Sequence, residues 1–145
     1  TDRKQTEEQL RESRSFLTHI TDVAPIILYV YDLHETRNVW SNNNLSLVLG
    51  YTRDEVQSMG SNLLSQLLHP EDAKRYATHY ERLRRLETEE VAEFEYRMRH
   101  RDGSWHWLSS REMAYLRDDD GTVKQIVVAA YDISDRKQAE AEREQ

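Results

Sequence analysis

The chain contains no cysteine. That absence removes disulfides, thiolate metal sites and cysteine nucleophiles together, and it accords with a reducing cytoplasmic setting. Glycine and proline are scarce, with four and two in 145 residues, and no glycine-rich loop of the kind that cradles phosphate can be traced. Long apolar runs are missing as well. No stretch approaches the ~20 residues that cross a bilayer, and the amino terminus lacks the basic-then-apolar layout of a signal peptide. A soluble chain with no direct membrane insertion is expected. Basic charge is in deficit, 20 Lys and Arg against 27 Asp and Glu for a formal charge of -7. With no local basic cluster to offset it, a surface that tracks nucleic-acid phosphates is not expected.

What the chain does have is enough apolar side chain for one core. Hydrophobic residues make up 37% and charged residues 32%, with eight tyrosines and three tryptophans, a composition that closes a single domain of this length while leaving a wet surface. The ends resemble one another. Asp2-Arg3-Lys4-Gln5-Thr6-Glu7-Glu8 reappears 133 positions later as Asp135-Arg136-Lys137-Gln138-Ala139-Glu140-Ala141. Self-similarity at domain spacing predicts one unit of a tandem array, with adjacent domains in the same chain.

Between those ends the period alternates. Leu10, Phe16, Leu17, Ile20, Val23 and Ala24 recur at threes and fours among charges, which predicts an amphipathic helix closed by Pro25. Ile26–Val30 and Asn38–Ser41 read as a first pair of strands. Residues 42–68 carry short helical pieces punctuated by Gly50 and Gly60. His69-Pro70-Glu71-Asp72 opens the clearest helix, proline in its first turn and two acids against the positive end of its dipole, with Ala73, Tyr76, Ala77, Tyr80 and Leu83 as its apolar side. From Ala92 the period falls to two: Ala92, Phe94, Tyr96 and Met98 alternate with charged residues, as in a strand with one buried face. Asp102-Gly103 marks a hairpin turn, Ser104–Leu116 a returning strand, Asp119-Asp120-Gly121 a second turn, and Val123–Tyr131 the most apolar strand. A last helix follows, its free amides within reach of Asp132 or Ser134. This order predicts an α+β domain built on one antiparallel sheet.

Several of these segments resemble the PAS family. Trp40-Ser41-Asn42 with Leu49-Gly50-Tyr51-Thr52 looks like its second strand and first core helix, and His69-Pro70-Glu71-Asp72 resembles its HPED segment. Glu95-Tyr96-Arg97-Met98-Arg99, Asp102-Gly103-Ser104 and Trp107 are similar to the EYRxR, DGS and W of its meander and carboxyl-terminal PAC motif, and Asp132-Ile133-Ser134-Asp135-Arg136-Lys137 to its DITxRK exit, with serine for the usual threonine. The resemblance covers about residues 15–140 and implies a five-stranded antiparallel sheet with short helices on one face, often around a ligand pocket, in sensor histidine kinases and cyclic-dinucleotide enzymes. It divides the chain into an amino-terminal linker helix over 1–24, a PAS domain over 25–133 and a carboxyl-terminal linker helix over 134–145.

Inward strand positions and the long helix together predict the pocket lining: Tyr29, Tyr31, Tyr76, Tyr80, Phe94, Tyr96, Met98, Val128 and Ala130. A filled core would show the same alternation, but buried phenol hydroxyls need partners that a small ligand or trapped water would supply. His79 stands where some PAS domains hold haem. At about 100° per residue it falls roughly 100° from the centre of that helix's apolar side, alanines included, so a solvated or hydrogen-bonded histidine is expected there, not a ligand. Covalent flavin photochemistry needs a cysteine; noncovalent flavin or haem is the minority reading beside no cofactor. His100, Asp102 and His106 crowd one hairpin, but a two-residue turn would set the two histidines on opposite faces, so no metal site is expected. Whether Trp105 and Trp107 or His106 and Leu108 face inward depends on a register that one bulged residue would flip.

Two functions remain open on sequence alone. The first is a non-catalytic binding and relay module that dimerises through Leu10, Leu17, Ile20 and Ala24 and passes its signal out through Asp132, Ile133 and Ser134. The second is a small acid–base enzyme using His69, Glu71 or His79. The first is favoured, because no nucleophile with its base and no paired-carboxylate motif is present.

Overall fold

The alternation from Ala92 onward sets the architecture. Strand β3 (Ala92–Arg99) buries Ala92, Tyr96 and Met98 and half-buries Phe94, while Glu93 and Arg99 stay outside. It pairs antiparallel with β4 (Trp105–Arg117), Met98 opposite His106 and Phe94 opposite Ser110. Strand β5 (Val123–Asp132) returns along β4, and β1 (Ile27–Asp32) lies on its other side with Tyr29 opposite Val128; β2 (Arg37–Ser41) forms one edge. The sheet is five-stranded and antiparallel in the order β2-β1-β5-β4-β3, so the first and last strands are central neighbours. The computed structural model describes residues 2–23, 26–42 and 44–144, and within its first helix the side chains of residues 3–13.

One face of this sheet is covered. Helices α2 (Leu45–Leu49), α3 (Arg53–Met59) and α4 (Leu63–Leu67) follow β2, and α5 (Pro70–Arg84) leads back to β3. Leu45, Val48, Leu49, Leu67 and Leu68 pack with Ile27, Tyr96, Met98, Leu108 and Ala130, while Leu83 and Leu86 pack with Tyr31, Val123, Ile126 and Val128. Helix α2 stops at Gly50, whose φ of 82° suits glycine and where a Cβ would come within 3.1 Å of the His100 ring. Thr52 and Glu55 cap α3 reciprocally.

Helix α5 begins as expected. His69 is its N-cap, with Nδ1 accepting the Glu71 N–H at 3.1 Å, and Pro70 follows in the first turn. Two expectations fail on it. Ala73 and Ala77 are exposed, and the inward face is Asp72, Tyr76, His79, Tyr80 and Leu83. Alanine is small enough to sit on either side of a helix, and counting both alanines as apolar pulls the supposed stripe away from His79. Asp72 also does more than face the dipole. Its carboxylate accepts the Arg97 N–H at 2.7 Å, Arg97 Nε at 3.0 Å and Arg75 Nη1 at 2.9 Å, which locks α5 to β3.

Two helices flank this core, α1 (Asp2–Val23) and α6 (Ser134–Glu144). Leu10 of α1 is 54% exposed; the side chains of Leu17 and Ile20, and residues Ala24 and Pro25, lie outside the described residues. Among the described residues no helix is long and apolar enough to cross a membrane.

Candidate functional site

Where the two halves of the core meet, the packing leaves a cavity of about 50 Å³. Tyr29 touches both halves. About 10–15 Å³ of such space holds one water, so the cavity has room for a few non-hydrogen atoms. Of the pocket candidates, Tyr29, Tyr31, Tyr76, Phe94, Tyr96, Met98 and Ala130 line it. Tyr80 and Val128 do not: Val128 packs in the second half of the core, and Tyr80 donates its hydroxyl to the Leu33 carbonyl at 2.8 Å.

Sequence reasoning missed the polar part of the wall, which is Asn38, Ser41, Ser110 and Glu112. Glu112 is joined to His79, with Nε2 2.6 Å from Oε1 and both side chains more than nine-tenths buried. His79 also stacks on Phe94, ring centres 4.3 Å apart. It is therefore neither solvated nor off the inward face, although it is hydrogen-bonded as one branch of the expectation held, and it stands behind the cavity wall, not on it. The phenols lie close enough to interact: Tyr29 with Tyr96, Tyr96 with Ser110, and Tyr31 with Tyr76. Burial first pushes their ionisation up; neighbouring phenols add to it for Tyr29, Tyr31 and Tyr76, and the Glu112 carboxylate for Tyr29, Tyr76 and Tyr96, to about 12 for Tyr31 and well above the ordinary value for the other three. All four stay neutral near pH 7 and can donate or accept.

The cavity strands also hold the exit helix. Along β3, Phe94 and Tyr96 line the cavity while Glu95 between them turns to the other face, where its carboxylate takes Arg136 Nη2 at 2.6 Å and Lys137 Nζ at 2.8 Å. Along β4, Leu108 lines the cavity while its neighbour Trp107 accepts the Ile133 N–H on its carbonyl at 2.8 Å and donates its own N–H to Ser134 Oγ at 3.0 Å. The Trp107 ring lies under Arg97 and Lys137, at 4.9 and 4.7 Å from its centre. Asp132 accepts the Ser134 N–H at 2.7 Å and meets His106 Nδ1 at 2.7 Å. Burial raises its ionisation, but the bonds from His106 and Ser134 outweigh that and hold it below the usual carboxylate range. Of the two expected caps, Asp132 reaches a helix-start amide; the Ser134 hydroxyl is used by β4 instead.

The hairpin histidines correct a further expectation. His100 and His106 lie on one face, stacked with ring centres 4.8 Å apart, because the connection is a three-residue loop. The His100 N–H donates to the Ser104 carbonyl at 2.7 Å, and Gly103 takes a φ of 90° as the loop's last residue. The same register turns His106 and Leu108 toward the helices and Trp107 away. Among the described residues no group of three or more histidine and acidic side chains is placed to hold a metal ion.

Comparison with known proteins agrees with this geometry. A sensory box histidine kinase/response regulator from Burkholderia thailandensis superposes with a TM-score of 0.65 at 22% identity, covering 86% of this chain and 88% of that one. A PAS domain of an HTR-like protein from Haloarcula marismortui gives 0.63 at 21% identity, over 90% and 99%. The amino-terminal domain of a diguanylate cyclase with PAS/PAC sensor from Marinobacter aquaeolei gives 0.59 at 22% identity, over 77% and 98%. At these identities the likeness is one of fold. The two-component sensor PprA of Pseudomonas aeruginosa is 26% identical over 135 residues, which span 92% of this chain and 14% of that protein's length. The PAS fold family matches residues 38–130, and because that match runs over more than half of the chain and the sheet has the implied architecture, the chain belongs to the PAS fold family.

Proposed function

We propose that the chain is the sensory and relay module of a longer signalling protein of the two-component or cyclic-dinucleotide kind, that its cavity receives a small ligand, and that α6 carries the response toward an adjacent domain. The observation that carries this is the alternation on β3: one strand presents Phe94 and Tyr96 to the cavity and, between them, Glu95 to Arg136 and Lys137 of α6. Any displacement of the strand by a ligand is felt at the root of the helix, since a packed β-strand moves as a unit. A cytoplasmic setting accords with the absence of cysteine. The reading as a non-catalytic module is supported by the three candidate catalytic residues being engaged separately: His69 caps α5, Glu71 pairs with Arg97 at 3.0 Å on the surface, and His79 is buried against Glu112.

Self-association through α1 belongs to the same proposal. Residues 3–13 are all exposed, and an amphipathic helix with Leu10 uncovered gains by burying that stripe against a second copy. Light scattering is expected to report a dimer that Leu10→Glu combined with Leu17→Glu weakens; a monomer at high micromolar concentration would contradict it. The purified protein is also expected to be colourless, because a cavity of about 50 Å³ suits a few atoms better than a fused-ring chromophore. An absorbance spectrum checks this, and a Soret band lost on His79→Ala, or a flavin spectrum, would overturn it.

A further inference from the structure

The cavity meets the surface beneath the β2 edge of the sheet. Tyr31, Asn38, Ser41, Leu45, Leu63 and Leu64 line it and also line an open groove of about 550 Å³ between β2 and the helices α2 to α4, so these side chains form a mouth between the two spaces. The mouth holds an unanswered acceptor. Asn38, opposite Tyr31 in the β-register, has its Oδ1 buried and without a hydrogen-bond partner among the described residues. Such an acceptor is costly to leave unpaired, and a ligand that displaces solvent from it must bring a donor of its own. Charge sets the second constraint. Among the described residues the cavity lining has one charged side chain, Glu112, and the buried His79 already meets it at 2.6 Å. Glu112 lies on β4 and Asn38 on β2, three strand spacings of ~4.8 Å apart, so a small molecule at the mouth does not reach it. Arg37 and Arg53 border the outer groove and not the cavity.

We propose that the β2 end of the cavity selects a small neutral molecule with an O–H or N–H donor on a short hydrocarbon body, the donor bonding to Asn38 Oδ1 and the hydrocarbon lying against Tyr29, Tyr31 and Leu64. This rests on the reading of the cavity as a ligand site. An ion of either sign would enter the cavity with no free counter-charge in the wall, and burial of an unpaired charge is strongly disfavoured. A neutral molecule that only accepts would displace solvent from Asn38 and leave its oxygen bare. Tyr29 interacts in turn with Tyr96 of β3, which brings the bound molecule within one side chain of the strand that holds α6. The size agrees, since the cavity of about 50 Å³ holds roughly three to five groups the size of water.

The test titrates the whole chain with probes of one branched shape, 2-propanol, acetone, isopropylammonium and acetate, at constant ionic strength, and follows backbone amide shifts. 2-Propanol is expected to bind about tenfold more tightly than acetone, the cost of leaving a buried acceptor unpaired, with its shifts centred on Tyr31, Asn38 and Ser41. The two ions are expected to give no saturable shift at those positions, and acetate shifts confined to Arg37 and Arg53 would agree with its exclusion from the cavity. Asn38→Leu, which keeps the bulk and removes the acceptor, should bring 2-propanol down to the level of acetone. The comparison of probes on the wild type needs no variant to fold. Acetone bound as tightly as 2-propanol, or 2-propanol bound undiminished by Asn38→Leu, would overturn the donor requirement while leaving the cavity a ligand site. Either ion binding at the mouth as tightly as 2-propanol would overturn the neutral class in the same way. No saturable shift of a lining residue with any probe would count against both the proposal and the reading of the cavity on which it rests.

Discussion

Replacing Asp72 by alanine is expected to lower the melting temperature by roughly 10 °C. The carboxylate is nearly inaccessible and accepts the Arg97 backbone N–H, the Arg97 guanidinium and Arg75. Removing it leaves a strand amide without an acceptor and a largely covered guanidinium with the exposed Glu71 alone. Breaking a buried pair from one side costs about 3–5 kcal/mol, and about 1 kcal/mol moves the melting temperature of a domain this size by about 3 °C. The loss should be accompanied by freer exchange of the Arg97 amide, since α5 is tied to β3 mainly here.

The same site predicts a pH dependence of definite sign. Burial raises the Asp72 ionisation, but the bonds from the Arg97 side chain and backbone outweigh it and hold the carboxyl below its usual range. A carboxyl depressed in the folded state stabilises fully above its unfolded value of about 3.9 and loses that contribution as pH falls through the folded value. The melting-temperature gap between wild type and Asp72→Ala should therefore be widest near neutrality and narrow below about pH 4. A gap that stays constant down to pH 3 would show that Asp72 acts through packing and not through its charge.

Much of the sheet was legible because its strands obey a period of two that only one-sided burial explains. Ala92, Phe94, Tyr96 and Met98 all face inward, and the two hairpin turns fall at the Asp-Gly pairs that mark them. What escaped was set by parity. Gly103 reads in the sequence as the second residue of a two-residue turn, but it is the left-handed last residue of a three-residue loop. One residue of difference in the loop inverts the facing of the whole of β4. That miscount separated His100 from His106, and the facing of β4 that the sequence left open kept Glu112 out of the list of wall residues, where the observed register sets it inward, opposite Ala92 and Val128.

The second loss came from treating apolar residues as equal markers on α5. At about 100° per residue, Ala73 and Ala77 swing the apparent centre toward solvent, whereas Asp72 and His79, discounted for polarity, mark the true inward face. Both are buried because each has a partner on the sheet, Arg97 for Asp72 and Glu112 for His79. Such partners lie 25 and 33 residues away in the chain, and no local pattern reports them. The cavity lining shows the same division: its aromatic side was readable from strand alternation, and its polar side was not.

In the proposed relay, movement leaves through a stiff joint between β5 and α6. No glycine or proline separates Val123–Asp132 from Ser134. The joint is held by the Ile133 and Trp107 amides, by Asp132 and by the Glu95 pairs with Arg136 and Lys137. Beyond it α6 carries Ala139 and Ala141 as its only apolar residues and buries none of its side chains fully, so its support is expected to come from continuing into an adjacent domain, not from this one. A helix held at its root and unsupported along its length transmits rotation, and what a partner domain receives then depends on helical phase. Inserting one, two or three residues after Lys137 in the longer protein changes that phase by about 100° each, while seven residues restore the facing of a coiled seam. Output measured across this series is predicted to rise and fall by roughly tenfold or more and to recover near seven; output indifferent to the one-, two- and three-residue insertions would mean a flexible tether and would contradict the relay.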